Sequence, residues 1–209
     1  MRKKGKTDLS RRERKKGETR SKIIAVAMEL FRNQGFEESS VDQIAEEADV
    51  AKGTLYNYFP SKEAILHGYM QNSARENEHL ISALIQGLPD TRSRLTALFQ
   101  HVSEWMKSNR DLFKIYISYR MQNLIQPVYD KSQRSGFADH LQAIIEAGQK
   151  TGEIRKDLPS ALLSLHLEMM HFGVVIVWLS GVEKISLKTA FVQVIDLFLE
   201  GAKKGKPKG

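Results

Sequence analysis

The chain has 209 residues, 41% of them hydrophobic, enough for one domain or for a small domain joined to a larger one, with the composition of an ordinary globular protein. It has no cysteine, which excludes disulfides, thiolate metal sites and cysteine nucleophiles and fits a reducing cytoplasm. The net charge of +7 hides an asymmetry: residues 1–22 hold eleven Lys and Arg against Asp8, Glu13 and Glu18, residues 203–209 add four lysines, and 23–202 is net −5.

Basic ends on a mildly acidic body suggest a polyanion partner. The start "MRKKGKTDLSRRERKK" has no apolar segment after its charges and does not read as a secretory signal. Residues 1–18 read as a basic, disordered arm, and 204–209 as a basic tail. The longest uninterrupted apolar run, Phe172 to Leu179, is far short of the ~20 residues that span a bilayer, so no membrane is expected.

The periodicity is helical nearly everywhere. Ile23, Ile24, Ala27, Leu30 and Phe31 form one apolar stripe; Thr19 is placed to cap its helix and Gly35 to end it. Ser40 with Gln43 is a capping-box pattern opening a second helix, on which Val41, Ile44, Ala45 and Ala48 recur at helical spacing. A turn at Asp49–Val50 leads to a short third helix that ends at Pro60–Ser61. Ser61 caps a long fourth helix running into the 80s. Three short helices on about fifty residues read as a helix-turn-helix module, 19–67. Longer helices follow at 91–108, 111–125, 136–150, 159–180 and 186–202, with a break near Pro127, making a helical domain over 68–203. The fold class is all-α.

The third helix carries the most informative stretch, "AKGTLYNYFPSKE". Spacing residues 52–59 around a helix puts Leu55 and Phe59 on one side, facing the stripes of the first two helices. Gly53 and Asn57 project on the opposite side, flanked by Lys52 and Tyr56 on one edge and Thr54 and Tyr58 on the other. That face has no acid. Its members donate to phosphates or read base edges, and Gly53 lets a partner come close to the backbone.

The sequence "SVDQIAEEADVAKGTLYNYFPSKEAIL", preceded by "IIAVAMELFRNQGF", resembles the DNA-binding domain of TetR-family transcriptional regulators. The matching elements are Gly35-Phe36, Val41, Ile44-Ala45, Gly53 to Tyr56, Tyr58-Phe59 and Ser61-Lys62-Glu63. The resemblance implies a supporting second helix and a reading third helix. It implies that Lys52, Thr54, Tyr58 and Lys62 touch phosphates, that Gly53, Tyr56 and Asn57 lie at or near bases, and that Ser40 meets phosphate from the cap of the second helix. Many relatives have Gly where this chain has Asp49, and Ser or Thr where it has Ala51, so one cap and one possible phosphate contact are missing.

Beyond residue 85 the resemblance thins to "GEIRKDL" and "VIDLFLEGAKK". The family fold implies a ligand-binding domain and a homodimer built on the last two long helices. Residues 159–180 are apolar nearly all round, and such a helix must be covered on both sides. A narrow stripe would be Leu162, Leu165, Met169, Phe172 and Ile176. Leu163, Leu167, Met170, Val174 and Trp178 are apolar too, and with Phe191, Ile195 and Phe198 of the last helix they are the expected dimer interface. Phe99, Trp105, Met106, Phe113, Tyr116, Tyr119 and Met121 are the candidate lining of an apolar effector pocket. Glu168 would neutralise a cationic effector or serve an interface hydrogen bond. His166 and His171 do not share a face, so no metal site is expected, and no cofactor is implied.

The function implied is a homodimeric repressor bound to double-stranded operator DNA and released by a small, largely apolar effector. An effector-insensitive DNA-binding or architectural protein is the alternative. No phosphate loop, nucleophile elbow or metal-ligand spacing argues for an enzyme.

Overall fold

A computed structural model describes residues 10–123, 136–182 and 185–202, without the side chains of residues 74, 75 and 202. Among the described residues there are ten helices and no strand: α1 (Arg11–Asn33), α2 (Val41–Glu47), α3 (Lys52–Tyr58), α4 (Lys62–Glu76), α5 (Glu78–Gln86), α6 (Thr91–Ser108), α7 (Arg110–Asn123), α8 (Gly136–Thr151), α9 (Ser160–Ser180) and α10 (Leu187–Ala202). They fall into two compact units. The first comprises the described residues up to Met70 together with Ser118–Gln122; the second comprises Gln71–Ile117 and the described residues from Asn123 onward.

The first unit is built on the apolar stripe of α1. Ile23, Ile24, Ala27, Met28, Leu30 and Phe31 are buried, as are Ile44 and Ala45 of α2 and Leu55 of α3. Phe31 meets Phe36 with ring centroids 4.7 Å apart, the apolar contact expected after the Gly35 turn, and Gly35 has φ 93°. One expectation fails at the start of α1. Thr19 lies inside the helix and donates to the Lys15 carbonyl at 3.0 Å. The cap is Ser10, whose Oγ accepts from the Glu13 N–H while Glu13 Oε2 accepts from the Ser10 N–H, a complete capping box. The expected arm of residues 1–18 is therefore helical from Arg11. The cause is local: the Ser-x-x-Glu cap lies about three and a half turns upstream of Ile23, where the stripe used to place the start begins. Residues 1–9 and the tail 204–209 lie outside the described residues, as does the Pro127 break.

The capping box at α2 is half made. Ser40 Oγ accepts from the Gln43 N–H at 3.0 Å, but the Gln43 side chain turns away to Gln34 at 2.7 Å and Glu47 at 3.0 Å. Ser61 caps α4 as expected, accepting from the Ala64 N–H. The fourth helix does not run unbroken into the 80s. It stops at Glu76, and Asn77, whose Nδ2 donates to the Ser73 carbonyl at 2.8 Å, separates it from α5.

In the second unit α6 packs on α5, α8 and α10, and α9 packs on α8 and α10. Asp90 caps α6 through the Ser93 N–H at 2.7 Å, and Arg92 of α6 pairs with Asp196 of α10. Glu153 accepts from the Thr91 N–H at 2.7 Å, tying the start of α6 to the loop after α8.

Helix α9 reverses the expected assignment of its faces. Leu163, Leu167, Val175 and Leu179 are buried within the chain, as are Phe191, Ile195 and Phe198 of α10. These supply the unit's own core. The outward side carries Leu162, Leu165, Met169 and Val177, each 38–41% exposed, with Phe172 and Ile176 half-buried beside them. On α10 Val192 and Leu197 face outward. Of the expected interface, Met170, Val174 and Trp178 are half-buried at the margins, and the Arg110 guanidinium lies 5.3 Å from the Trp178 ring. Periodicity could not choose the face because both sides are apolar; Ser164, Glu168 and His171 prove to lie on the buried side. By length and composition the whole of α9 could cross a membrane, which its longest apolar run alone did not suggest. Its packing on α8 and α10 buries one side of it.

Candidate nucleic-acid interface

Helix α3 anchors through Leu55 and Phe59, 0% and 3% exposed. This fixes its rotation and turns Lys52, Gly53, Tyr56 and Asn57 outward, with Thr54 and Tyr58 half-buried on the edge. A Cβ built at Gly53 would meet nothing within 4 Å, so the chain's own packing does not require glycine there. The opposite holds at Gly68 of α4, where a Cβ would come within 2.8 Å of both Arg20 Nη2 and Phe59 Cε1. Gly68 lets α4 close onto α1 and the end of α3.

The turn before α3 takes the strained form inferred from its sequence. Asp49 has φ 52°, a left-handed conformation that Asp tolerates better than most residues. Ala51 occupies the N-cap position of α3 with no side-chain hydrogen bond. The first N–H groups of α3 thus receive no side chain from their own cap.

Two of the expected phosphate ligands already have partners. Lys52 Nζ lies 2.6 Å from Asp42 Oδ1 and donates to Oδ2 at 2.9 Å; this carboxylate holds the ammonium above the ordinary lysine range. Asp42, on the first turn of α2, was absent from the expected site. It follows the Ser40 cap by two residues, but only the fold brings it to the first turn of α3, so no spacing within one helix announced the pair. Lys62 Nζ donates to the carbonyls of Phe36 (2.7 Å) and Glu37 (3.2 Å) and sits 4.6 Å from the Phe36 ring centroid. It ties α4 to the α1–α2 loop and keeps one donor free for an anion. Ser40 is exposed at the α2 N-terminus.

Behind α3, the Arg20 guanidinium stands 5.0 Å over the Phe59 ring, and His67 of α4 packs against Tyr119 of α7 at 5.7 Å. Burial, then Arg120 and Arg20, push the His67 imidazole down to about 4. Tyr119 and Met121 therefore belong to the first unit, and the other pocket candidates to the second.

Those candidates divide further. Phe99, Met106, Phe113 and Tyr116 are all 5% exposed or less, whereas Met121 is 49% exposed. Phe99 meets Phe137, His171 and Phe191 at 5.1–5.6 Å, and Trp105 meets Phe113 at 5.9 Å. Glu168 is buried. An open pocket of about 440 Å³ lies elsewhere in the second unit, lined by Leu84 of α5, Ala97, Gln100, His101, Ser103 and Glu104 of α6, and Lys188 of α10. Periodicity gave no sign of it, because only the tertiary fold brings α10's first turn beside α6. Among the described residues no cluster of His, Asp and Glu has the makings of a metal site.

Residues 23–69 match the model of "Bacterial regulatory proteins, tetR family". Over 189 residues the chain is 25% identical to the HTH-type transcriptional repressor KstR2 of Rhodococcus jostii, covering 87% of this chain and 90% of that protein. It is also 25% identical, over 184 residues, to the fatty acid metabolism regulator protein of Bacillus subtilis, covering 86% and 93%. In three dimensions it is similar to Thermus thermophilus FadR, a TetR-family transcriptional repressor crystallised with lauroyl-CoA. The TM-score is 0.76 at 26% identity, covering 91% of this chain and 98% of that one.

Proposed function

We propose that the chain, whose residues 23–69 match the tetR-family model, is a TetR-family transcriptional regulator and a homodimeric repressor, holding duplex operator DNA through α3 and released by a small effector with an apolar chain. The observation that carries the DNA reading is the outward face of α3: acid-free, polar, and open above Gly53. The outward apolar rows of α9 and α10 support the homodimer, since two such helices from each chain would close an isologous four-helix interface. The complex of the Thermus relative with lauroyl-CoA makes acyl-CoA thioesters the first effector class to test. Release requires that the effector bind the DNA-competent and DNA-incompetent conformations with different affinity. The protein so described works in the cytoplasm, as a regulator rather than an enzyme.

The test selects duplexes from a randomised pool with the full-length protein and measures binding by fluorescence anisotropy. Two half-sites are expected, and Gly53→Ala should weaken binding about tenfold or more while leaving the melting temperature unchanged or slightly raised. Lauroyl-CoA at micromolar concentration should dissociate the complex. Selection of no sequence would sink the repressor reading. Specific binding that no acyl-CoA disturbs would favour the effector-insensitive alternative.

A further inference from the structure

The first two turns of α1 stand outside the packed part of their unit. Every residue from Arg11 to Glu18 is exposed, and burial on this helix begins only at Ile23. Arg11–Gly17 is about 10 Å of helix at 1.5 Å per residue. A helix without tertiary packing is ordinarily marginal. Here the Ser10–Glu13 capping box and the Arg14–Glu18 pair at 3.6 Å support it, and it continues a helix already nucleated by its buried half.

Its charge is not evenly spread. At about 100° per residue, Arg12, Lys16 and Arg20 fall on the same side as Ile23, Ala27 and Leu30. The buried stripe therefore continues past the edge of the unit as a row of cations. No described acid pairs with Arg12 or Lys16. The row begins beside the reading helix: Arg20 lies over Phe59 at the end of α3, and Lys22 Nζ is 4.0 Å from Asp49 in the turn before it.

We propose that this overhang, through Arg12 and Lys16, is a second nucleic-acid contact that grips the phosphate backbone beside the groove entered by α3. The proposal rests on the DNA reading of α3 and deepens it. The occupant is a polyanion because the face offered is cationic where the same side of α1, further along, is apolar. It is the same duplex because α1 passes α3 at residues 20–22. A rigid helical grip differs from a charged flexible tail in one testable respect: its effect depends on helix continuity as well as on charge.

Full-length wild type, Arg12→Ala/Lys16→Ala and Gly17→Pro are compared on one pool-selected duplex, long and with its flanks trimmed to the α3 footprint. Far-UV circular dichroism checks that the fold persists. On the long duplex the double variant should lose about tenfold in affinity and its log–log salt slope should flatten by roughly two. Gly17→Pro keeps every charge but breaks the overhang, and should lose several-fold. Trimming the flanks should weaken wild type and barely affect either variant. Unchanged affinity and slope in the double variant overturn the proposal while leaving the α3 reading intact. A Gly17→Pro protein equal to wild type overturns the helical grip. Wild type that binds no duplex removes the α3 reading, and this proposal with it.

Discussion

Helices α3 and α9 make opposite demands on a sequence. Seven residues sufficed for α3, because Leu55 and Phe59 are the apolar side chains that fit a core and everything else on the helix is polar, small or amphipathic. One rotation satisfies the hydrophobic effect, and it turns the polar face outward. Helix α9 has three times as many residues and says less about its own orientation. Leucines, valines and methionines occur all round it, so burying either side yields similar apolar area. What decided the outcome was the set of neighbours: α8 and α10 cover Leu163, Leu167, Val175 and Leu179, leaving Leu162, Leu165, Met169 and Val177 outside. A face is legible when it is chemically unlike its opposite, and illegible when both sides offer the same chemistry.

The largest effects should come from separating the two sides of α9. Leu167, 0% exposed, should cost about 2–5 kcal/mol on truncation to Ala, measured by urea denaturation, because a cavity opens in the core. Leu165→Glu on the outward row should leave the fold intact yet yield monomers in sedimentation at micromolar concentration. If the two variants exchange behaviours, the assignment of faces is wrong.

On α3 the corresponding probe is Asn57→Ala. It should cost about 1–3 kcal/mol against the preferred duplex and little against mismatched ones, relaxing specificity at one base position. A uniform loss on all sequences would move Asn57 from base reading to phosphate contact.

The joint behind α3 gives a pH-dependent probe of the first unit. His67 is neutral in the folded protein, its pKa at about 4 against an ordinary 6.5. The unfolded chain therefore takes up the proton first. Stability should be fully present above pH 6.5, fall as pH drops toward 4, and level off below. Because the ring is partly solvated, about 1–2 kcal/mol is the expected change. A His67→Gln protein should lack that component in thermal melts across the range; parallel curves for the two proteins would dismiss it.

The smallest effect is expected at Asp42. Asp42→Asn should release Lys52 and remove a negative charge beside the expected DNA surface, raising affinity a few-fold at low salt with the gain fading as salt screens it. Unchanged affinity at 50 mM salt would mean that the ion pair does not compete with phosphate.

The sequence by itself determined the all-α class, the helix-turn-helix module and the side chains on the face of α3, because caps, breakers and a single apolar edge act within a few residues of chain. It also carried the positive-φ turn at Asp49 and the uncapped start at Ala51, since backbone preference is local. The true start of α1 was within its reach too, in the Ser10–Glu13 box, but the apolar stripe spoke louder than the cap. Only the tertiary structure decided which side of α9 faces the core, that Tyr119 packs with His67, and that Lys52 and Lys62 are already held by Asp42 and by two carbonyls. Each of these depends on groups far apart in the chain competing for the same neighbour, and no periodicity within one helix records who wins.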